Sequence, residues 1–122
     1  MPGFTENTRP DCFVRQLNGL EEKYPGTESE VAGAIKSLLS NPFIGDRLQG
    51  FGTFHVRKMR IGLKSHNMSK SDGLRCVFMI HENLKILTMI AIWKKGFYKK
   101  EADAAAMIRV NFSSTATTEG AP

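Results

Sequence analysis

The sequence predicts an α+β domain: two N-terminal helices packed on a curved sheet of three or four antiparallel strands, with a short C-terminal helix. Two observations carry this fold class. Apolar residues recur at helical spacing through roughly the first forty positions, and at a spacing of two from position 54 onward. The turn His81-Glu82-Asn83 is too short for anything but an antiparallel connection. With 122 residues, 41% of them hydrophobic, the chain suits one packed domain and is too short for a TIM barrel or a full dinucleotide-binding domain.

Each element follows from local chemistry. Asp11 is placed to cap a first helix whose apolar stripe is Phe13, Leu17, Leu20 and Tyr24. Pro25-Gly26 ends that helix, and Thr27 opens a second, with Glu28 and Glu30 favourably placed in its first turn. Val31, Ala34, Ile35, Leu38 and Leu39 form its buried face, and Asn41-Pro42 stops it. Gly3–Pro10 reads as a short edge strand. Phe54–Leu63 is a strand whose apolar phase flips midway, which a bulge near Arg57 or a strand leaving the core would explain. Lys64–Gly73 is a polar loop, Leu74–Ile80 a second strand, and Ile86–Trp93 a third, apolar on both faces. Lys99–Arg109 is alanine-rich and predicts the last helix. Residues 1–110 are thus expected to form the single domain, and 111–122 a disordered tail.

Composition excludes several classes. The longest apolar run, Met89–Trp93, falls far short of the ~20 residues of a membrane helix. The opening stretch MPGFTENTRPDC has no apolar core and two acids, unlike a signal peptide. Cys12 and Cys76 make no disulfide framework. A cytoplasmic protein without membrane contact is expected. Charge is the sharper signal. Residues 55–100 hold eleven Lys/Arg against two Asp/Glu, a net +9, whereas the flanking segments 1–54 and 101–122 are each −2. A solubilising surface would scatter both signs; a block of one sign points to a polyanion or an acidic partner.

The strand Phe54–Leu63 puts Lys58 and Arg60 on one face and Met59 and Ile61 on the other. Arg75 opens the next strand beside it, Lys70 lies in the intervening loop, and Lys94 and Lys95 emerge where the third strand ends. These cations are expected to converge on one concave face. Guanidinium forks suit phosphate, and lysine serves as a point charge or a proton carrier. Tyr98 is close enough in sequence to stack a base there. Trp93 is read as a core residue, with stacking the alternative. His55, His66 and His81 lack metal-ligand spacing, so no metal or other cofactor is expected. Cys76, in mid-strand, reads as a buried inert thiol.

The run GDRLQGFGTFHVRKMRIG, then SKSDGLRCVFMI, then LKILTMIAIWKK, resembles the RelE/ParE superfamily of bacterial toxins from type II toxin–antitoxin operons. The similarity spans about residues 10–110, and its telling parts are KMR, GLR and the basic pair after the last strand. The long polar loop is closest to the HigB-like branches.

That resemblance implies a metal-independent mRNA endoribonuclease acting on the ribosome, with mRNA, the ribosome and a cognate antitoxin protein as partners and oligomers formed through the antitoxin complex. Carried over by motif, Lys58, Arg75, Lys95 and Tyr98 are the expected catalytic set, and Arg57, Arg60, Lys70 and Lys94 the expected RNA-binding residues. Lys58 and Arg60 match the family's K-aliphatic-R strand, and Arg75 the arginine after its glycine. Tyr98 departs from the pattern, because the family tyrosine falls further along. A Glu–His pair used by other branches has no counterpart. The implied reaction is attack by a ribose 2′-hydroxyl on the adjacent phosphate. The alternatives are a ParE-like inhibitor of DNA gyrase and a non-catalytic nucleic-acid-binding domain.

Overall fold

The computed structural model describes residues 3–119. The elements follow in the order β1 (Thr5–Glu6), α1 (Asp11–Lys23), α2 (Thr27–Ser40), β2 (Asp46–Arg47), β3 (His55–Ile61), a 3-10 turn (Lys64–His66), β4 (Leu74–His81), β5 (Ile86–Lys94) and α3 (Glu101–Glu119). The two N-terminal helices, the antiparallel β3–β4–β5 meander and the C-terminal helix are those the sequence predicts. Two short strands complete a five-stranded sheet of order β1-β5-β4-β3-β2. β1 pairs parallel with β5, so the sheet is mixed rather than wholly antiparallel. The chain from β5 back to β1 spans both helices, and that long connection permits the parallel edge.

The inner sheet face is covered by α1 and α2: Phe13, Leu17, Val31, Ile35 and Leu38 pack on Met59, Ile61, Cys76, Phe78 and Ile92. A second cluster on the outer face joins Phe51, Val56, Val77, Met79, Ile90, Ala91 and Trp93 to Ile108 of α3. This second cluster explains the phase flip in β3. Val56 is fully buried beneath the α3 side, whereas Arg60 on the same face is exposed. The strand itself is regular, in unbroken register with β4 from His55 to Ile61, so no bulge occurs near Arg57.

The bulge lies instead between β4 and β5. Val77 pairs with Ala91 and Phe78 with Met89, leaving Ile90 as the extra residue. Its carbonyl accepts a 3.0 Å hydrogen bond from Asn111 Nδ2 of α3. Gln16 Oε1 of α1 accepts from the same amide at 3.2 Å and from the Ile92 N–H at 3.1 Å. The irregular backbone is thereby tied to a helix on each face. The same bonds account for the C-terminus. α3 does not stop at Arg109 but continues to Glu119, with Asn111 and Thr115 buried, so residues 111–119 are helical rather than a disordered tail; residues 120–122 of that expected tail lie outside the described residues. A further difference is at α1, whose N-cap is Pro10, with Asp11 the first helical residue and no side-chain cap. Among the described residues, no helix is long and apolar enough to cross a membrane.

Replacing Asn111 by alanine removes the amide donor of the Ile90 carbonyl and leaves it only the long 3.9 Å contact from the Cys12 thiol. Asn111→Ala is expected to lose on the order of 2 kcal/mol, read as a lower urea midpoint with an unchanged denaturant slope.

Candidate functional site

β3, β4 and β5 bring three of the predicted cations onto the outer face, beside α3. Arg60 of β3 is the direct cross-strand partner of Arg75 in β4, and Arg75 is the partner of Trp93 in β5. Lys58 lies two residues before Arg60 on the same face and lines a cleft of about 200 Å³ with Trp93, Leu48, Glu101 and Ile108. Tyr98 packs edge-on against Trp93, ring centroids 6.2 Å apart at 75°. A row of arginine, arginine and two aromatic rings therefore crosses the open end of the sheet.

Backbone carbonyls, rather than carboxylates, hold Arg75. Its Nη1 donates to Lys70 O at 3.1 Å and Leu74 O at 3.3 Å, and its Nη2 to Ser71 O at 3.0 Å. Lys70 thus shapes the site through its carbonyl while its side chain is exposed in the loop. Burial first, and the charge of Arg60 second, pull the Arg75 guanidinium below its usual pKa, against a smaller opposite pull from Asp72. Like charges placed directly across a strand pair repel, so this pair concentrates uncompensated positive charge on the outer face.

Gly73 sets the spacing. A side chain there would drive its Cβ to 2.1 Å from the Ile61 carbonyl oxygen, so only glycine lets the β3–β4 loop close this tightly. The Gly73 carbonyl accepts the Lys95 N–H at 2.9 Å, fixing the end of β5 beside the start of β4. Lys95 Nζ stands 3.9 Å from Asp72 Oδ1, both side chains more than half exposed, so the pair is weak.

Two predicted residues do not join the face. Arg57 points to the opposite side of β3, where its Nε donates to Ile44 O (2.8 Å) and its Nη2 to Gly45 O (3.0 Å). It fastens the β2 segment to β3. Lys94 shares the inner face with Ile92 because the bulge shifts the phase of β5, and its Nζ donates to Lys95 O at 3.2 Å. A Glu–His pair does exist, unforeseen in the sequence: His55 Nδ1 lies 3.0 Å from Glu82 Oε2, with His55 Nε2 3.2 Å from Arg57. It sits five residues along β3 from Arg60, about 17 Å away, with both ring nitrogens occupied. Burial pushes the Cys76 thiol up to about 12, as an inert core thiol requires. Burial also raises the Tyr98 phenol, which stays protonated. Among the described residues, no group of three His, Cys, Asp or Glu side chains gathers to hold a metal.

Sequence reasoning missed Glu30. Its carboxylate accepts the N–H groups of Lys64 (2.6 Å) and Ser65 (3.1 Å) and the Ser65 hydroxyl (2.8 Å), clamping the start of the β3–β4 loop to α2. A first-turn acid already had an explanation in the helix dipole, and a bond across 34 residues leaves no local trace.

The geometry has solved counterparts. A double arginine-to-alanine mutant of the E. coli toxin RelE in its free state matches with a TM-score of 0.51 at 16% identity, covering 87% of this chain and 97% of that one. The chain has the RelE fold. The isolated E. coli RelE toxin in a P21 crystal form gives a TM-score of 0.46 at 17% identity, over 88% and 98% of the two chains. No protein-family model matches the sequence, and no curated protein matches it. On this RelE-like fold, the cations are carried by the middle strands and the loop joining β3 to β4.

Two outcomes test the site. Arg60→Ala removes the cross-strand repulsion, so stability without anions is expected to rise by about 0.5 kcal/mol, while the Tm increase given by added polyphosphate shrinks; calorimetry reads both. Desolvation raises the Glu30 pKa, but its hydrogen bonds outweigh that and hold it below the usual carboxylate range. A depressed folded pKa contributes stability that is complete above the unfolded value of about 4.3 and fades as pH falls through the folded value. Tm measured from pH 7 down to pH 3 is therefore expected to fall less steeply for Glu30→Gln than for the wild type.

Proposed function

We propose that this chain is the toxin of a toxin–antitoxin pair and cleaves mRNA on the ribosome, in the cytoplasm, until an acidic antitoxin covers its basic face. The observation that carries the reading is the Arg60–Arg75 pair: two guanidinium groups in direct cross-strand register, the second fixed by three carbonyl oxygens and flanked by Lys58 and Lys95. An anion bridging them replaces repulsion with attraction, and a phosphodiester is the anion whose geometry a guanidinium fork matches. The RelE-like fold supports the same reading.

In this mechanism the 2′-oxygen attacks the neighbouring phosphorus and the bond to the 5′-oxygen breaks. The products are a 2′,3′-cyclic phosphate and a 5′-hydroxyl end. Arg75, Arg60 and Lys95 stabilise the charge that builds on the pentacoordinate phosphorus, the largest contribution that fixed cations can make. Lys58 is the base or electrostatic partner at the 2′-oxygen, whose proton passes to it or to water. The departing 5′-oxygen takes a proton from solvent. Tyr98, backed by Trp93, offers a ring to an unpaired base. The ribosome supplies the in-line geometry that a shallow cationic face does not impose on a free strand.

Arg75→Ala and Lys95→Ala are expected to keep the fold and to abolish growth arrest on induction, with message ends carrying 5′-hydroxyls vanishing from the cell. Undiminished arrest in either variant removes that residue from the mechanism. Arrest by the wild type with intact messages and blocked DNA supercoiling would replace the nuclease reading with gyrase inhibition.

A further inference from the structure

A second cavity, of about 510 Å³, opens on the inner side of the same sheet end, between α1 and the turn after β5. α1 lends it Arg15 and Lys23, and β5 lends it Lys94, the cation that the bulge turns away from the outer face. Among the described residues, no acidic side chain lines it. Phe97, 66% exposed, stands on its rim with its ring edge-on to Tyr98 at 4.9 Å. Gly19 forms part of the α1 wall. Glycine inside a helix is disfavoured relative to alanine, and a Cβ at this position would meet nothing within 4 Å. No packing contact explains the glycine, and its effect is to leave the groove open.

The groove and the outer cationic face meet at Lys95 and Tyr98, which border both. We propose that the groove binds an unpaired nucleotide of the single-stranded RNA whose cleaved phosphate lies on Arg60 and Arg75, an inference that rests on the nuclease reading above. The base lies against Phe97, and its phosphate between Arg15, Lys23 and Lys94. Exposed aromatic rings with interspersed cations grip single strands without demanding sequence, because every base has a π face. An acidic peptide would satisfy the charges, but it gives no reason for the groove to run on into the arginine pair.

The test uses fluorescence anisotropy with RNAs carrying a 2′-deoxy sugar at the cleavage position. One is a short RNA confined to the arginine face, and the other is extended by two nucleotides at either end. The extension is expected to tighten wild-type binding about fivefold or more, the low end for one stacked base. Abasic extensions should give less. Gly19→Leu, which fills the groove with a good helix former, should erase the gain while leaving short-RNA binding intact and Tm no lower than that of the wild type. Lys23→Glu should erase it without filling the groove. If both variants keep the full gain, or if the wild type binds the two RNAs equally, the groove is not a nucleotide site even though the arginine face is. If the wild type binds neither RNA, the nuclease reading falls, and this inference with it.

Discussion

The bulge at Ile90 is the constraint on which the functional surface depends. Before it, Leu87 and Met89 face α1 and α2; after it, Ile92 and Lys94 do, and Trp93 faces outward. Were Ile90 paired in a regular ladder, the alternation would continue unbroken, putting Trp93 under the helices and Lys94 on the outer face. A misplaced backbone carbonyl in a sheet interior is costly unless it is bonded. Asn111 of α3 donates to that carbonyl, and Gln16 of α1 accepts from the nearby Ile92 N–H and from Asn111. These two amide side chains therefore serve to place an aromatic ring next to an arginine.

A second constraint is how the cations are oriented. Arg75 is held by three carbonyl oxygens, Arg57 by two, and Lys94 by one. A carbonyl dipole fixes a side chain's direction without cancelling its charge, whereas a carboxylate would do both. Orientation by backbone thus keeps the +9 segment electrostatically available while making its side chains stiff. Asp72 is the exception, and its pairing with Lys95 is long and solvent-exposed. Glu21 at the α1–α2 turn and Glu30 on the loop take backbone N–H groups, and the carboxylate that does hold an arginine closely, Glu6 on Arg9 at 2.7 Å, lies outside the basic segment.

What was legible in the sequence is what local chemistry determines. The stripes of α1 and α2, the Pro25-Gly26 break and the β4–β5 turn all follow from spacing and residue type, and the structure has them at nearly the same positions. The convergence of Lys58, Arg60 and Arg75 was legible because antiparallel register across a closed loop leaves little freedom. The fates of Arg57 and Lys94 were not. Arg57 neighbours Lys58 in sequence, but alternation places it on the other face, where the Ile44 and Gly45 carbonyls wait. Lys94 was displaced by a bulge that a uniformly apolar strand cannot advertise, since β5 buries residues on both sides. Residues 111–119 read as part of a disordered tail because Ser and Thr are frequent there; their helical order comes with Asn111 reaching a carbonyl in β5, a contact without local signature.

Lys94 and Lys95, adjacent in the chain, show what a strand end accomplishes. Their sequence suggests one doubled charge, yet their roles differ: Lys94 lies on the α1 side, while Lys95, fixed by the Gly73 carbonyl, borders both the groove and the edge shared with Arg75. Beyond Lys95, Gly96 takes a positive φ of 88° that turns the chain so that Phe97 and Tyr98 fold back against the strand they have just left. Three residues of turn thereby convert one edge of a sheet into a ridge with a cationic aromatic surface on either flank. A flexible polyanion crossing that ridge meets positive charge continuously, whereas a rigid duplex, unable to bend over so sharp an edge without a deformation cost, meets only one flank. On the proposed function, that shape favours a single strand over a duplex before any base is recognised.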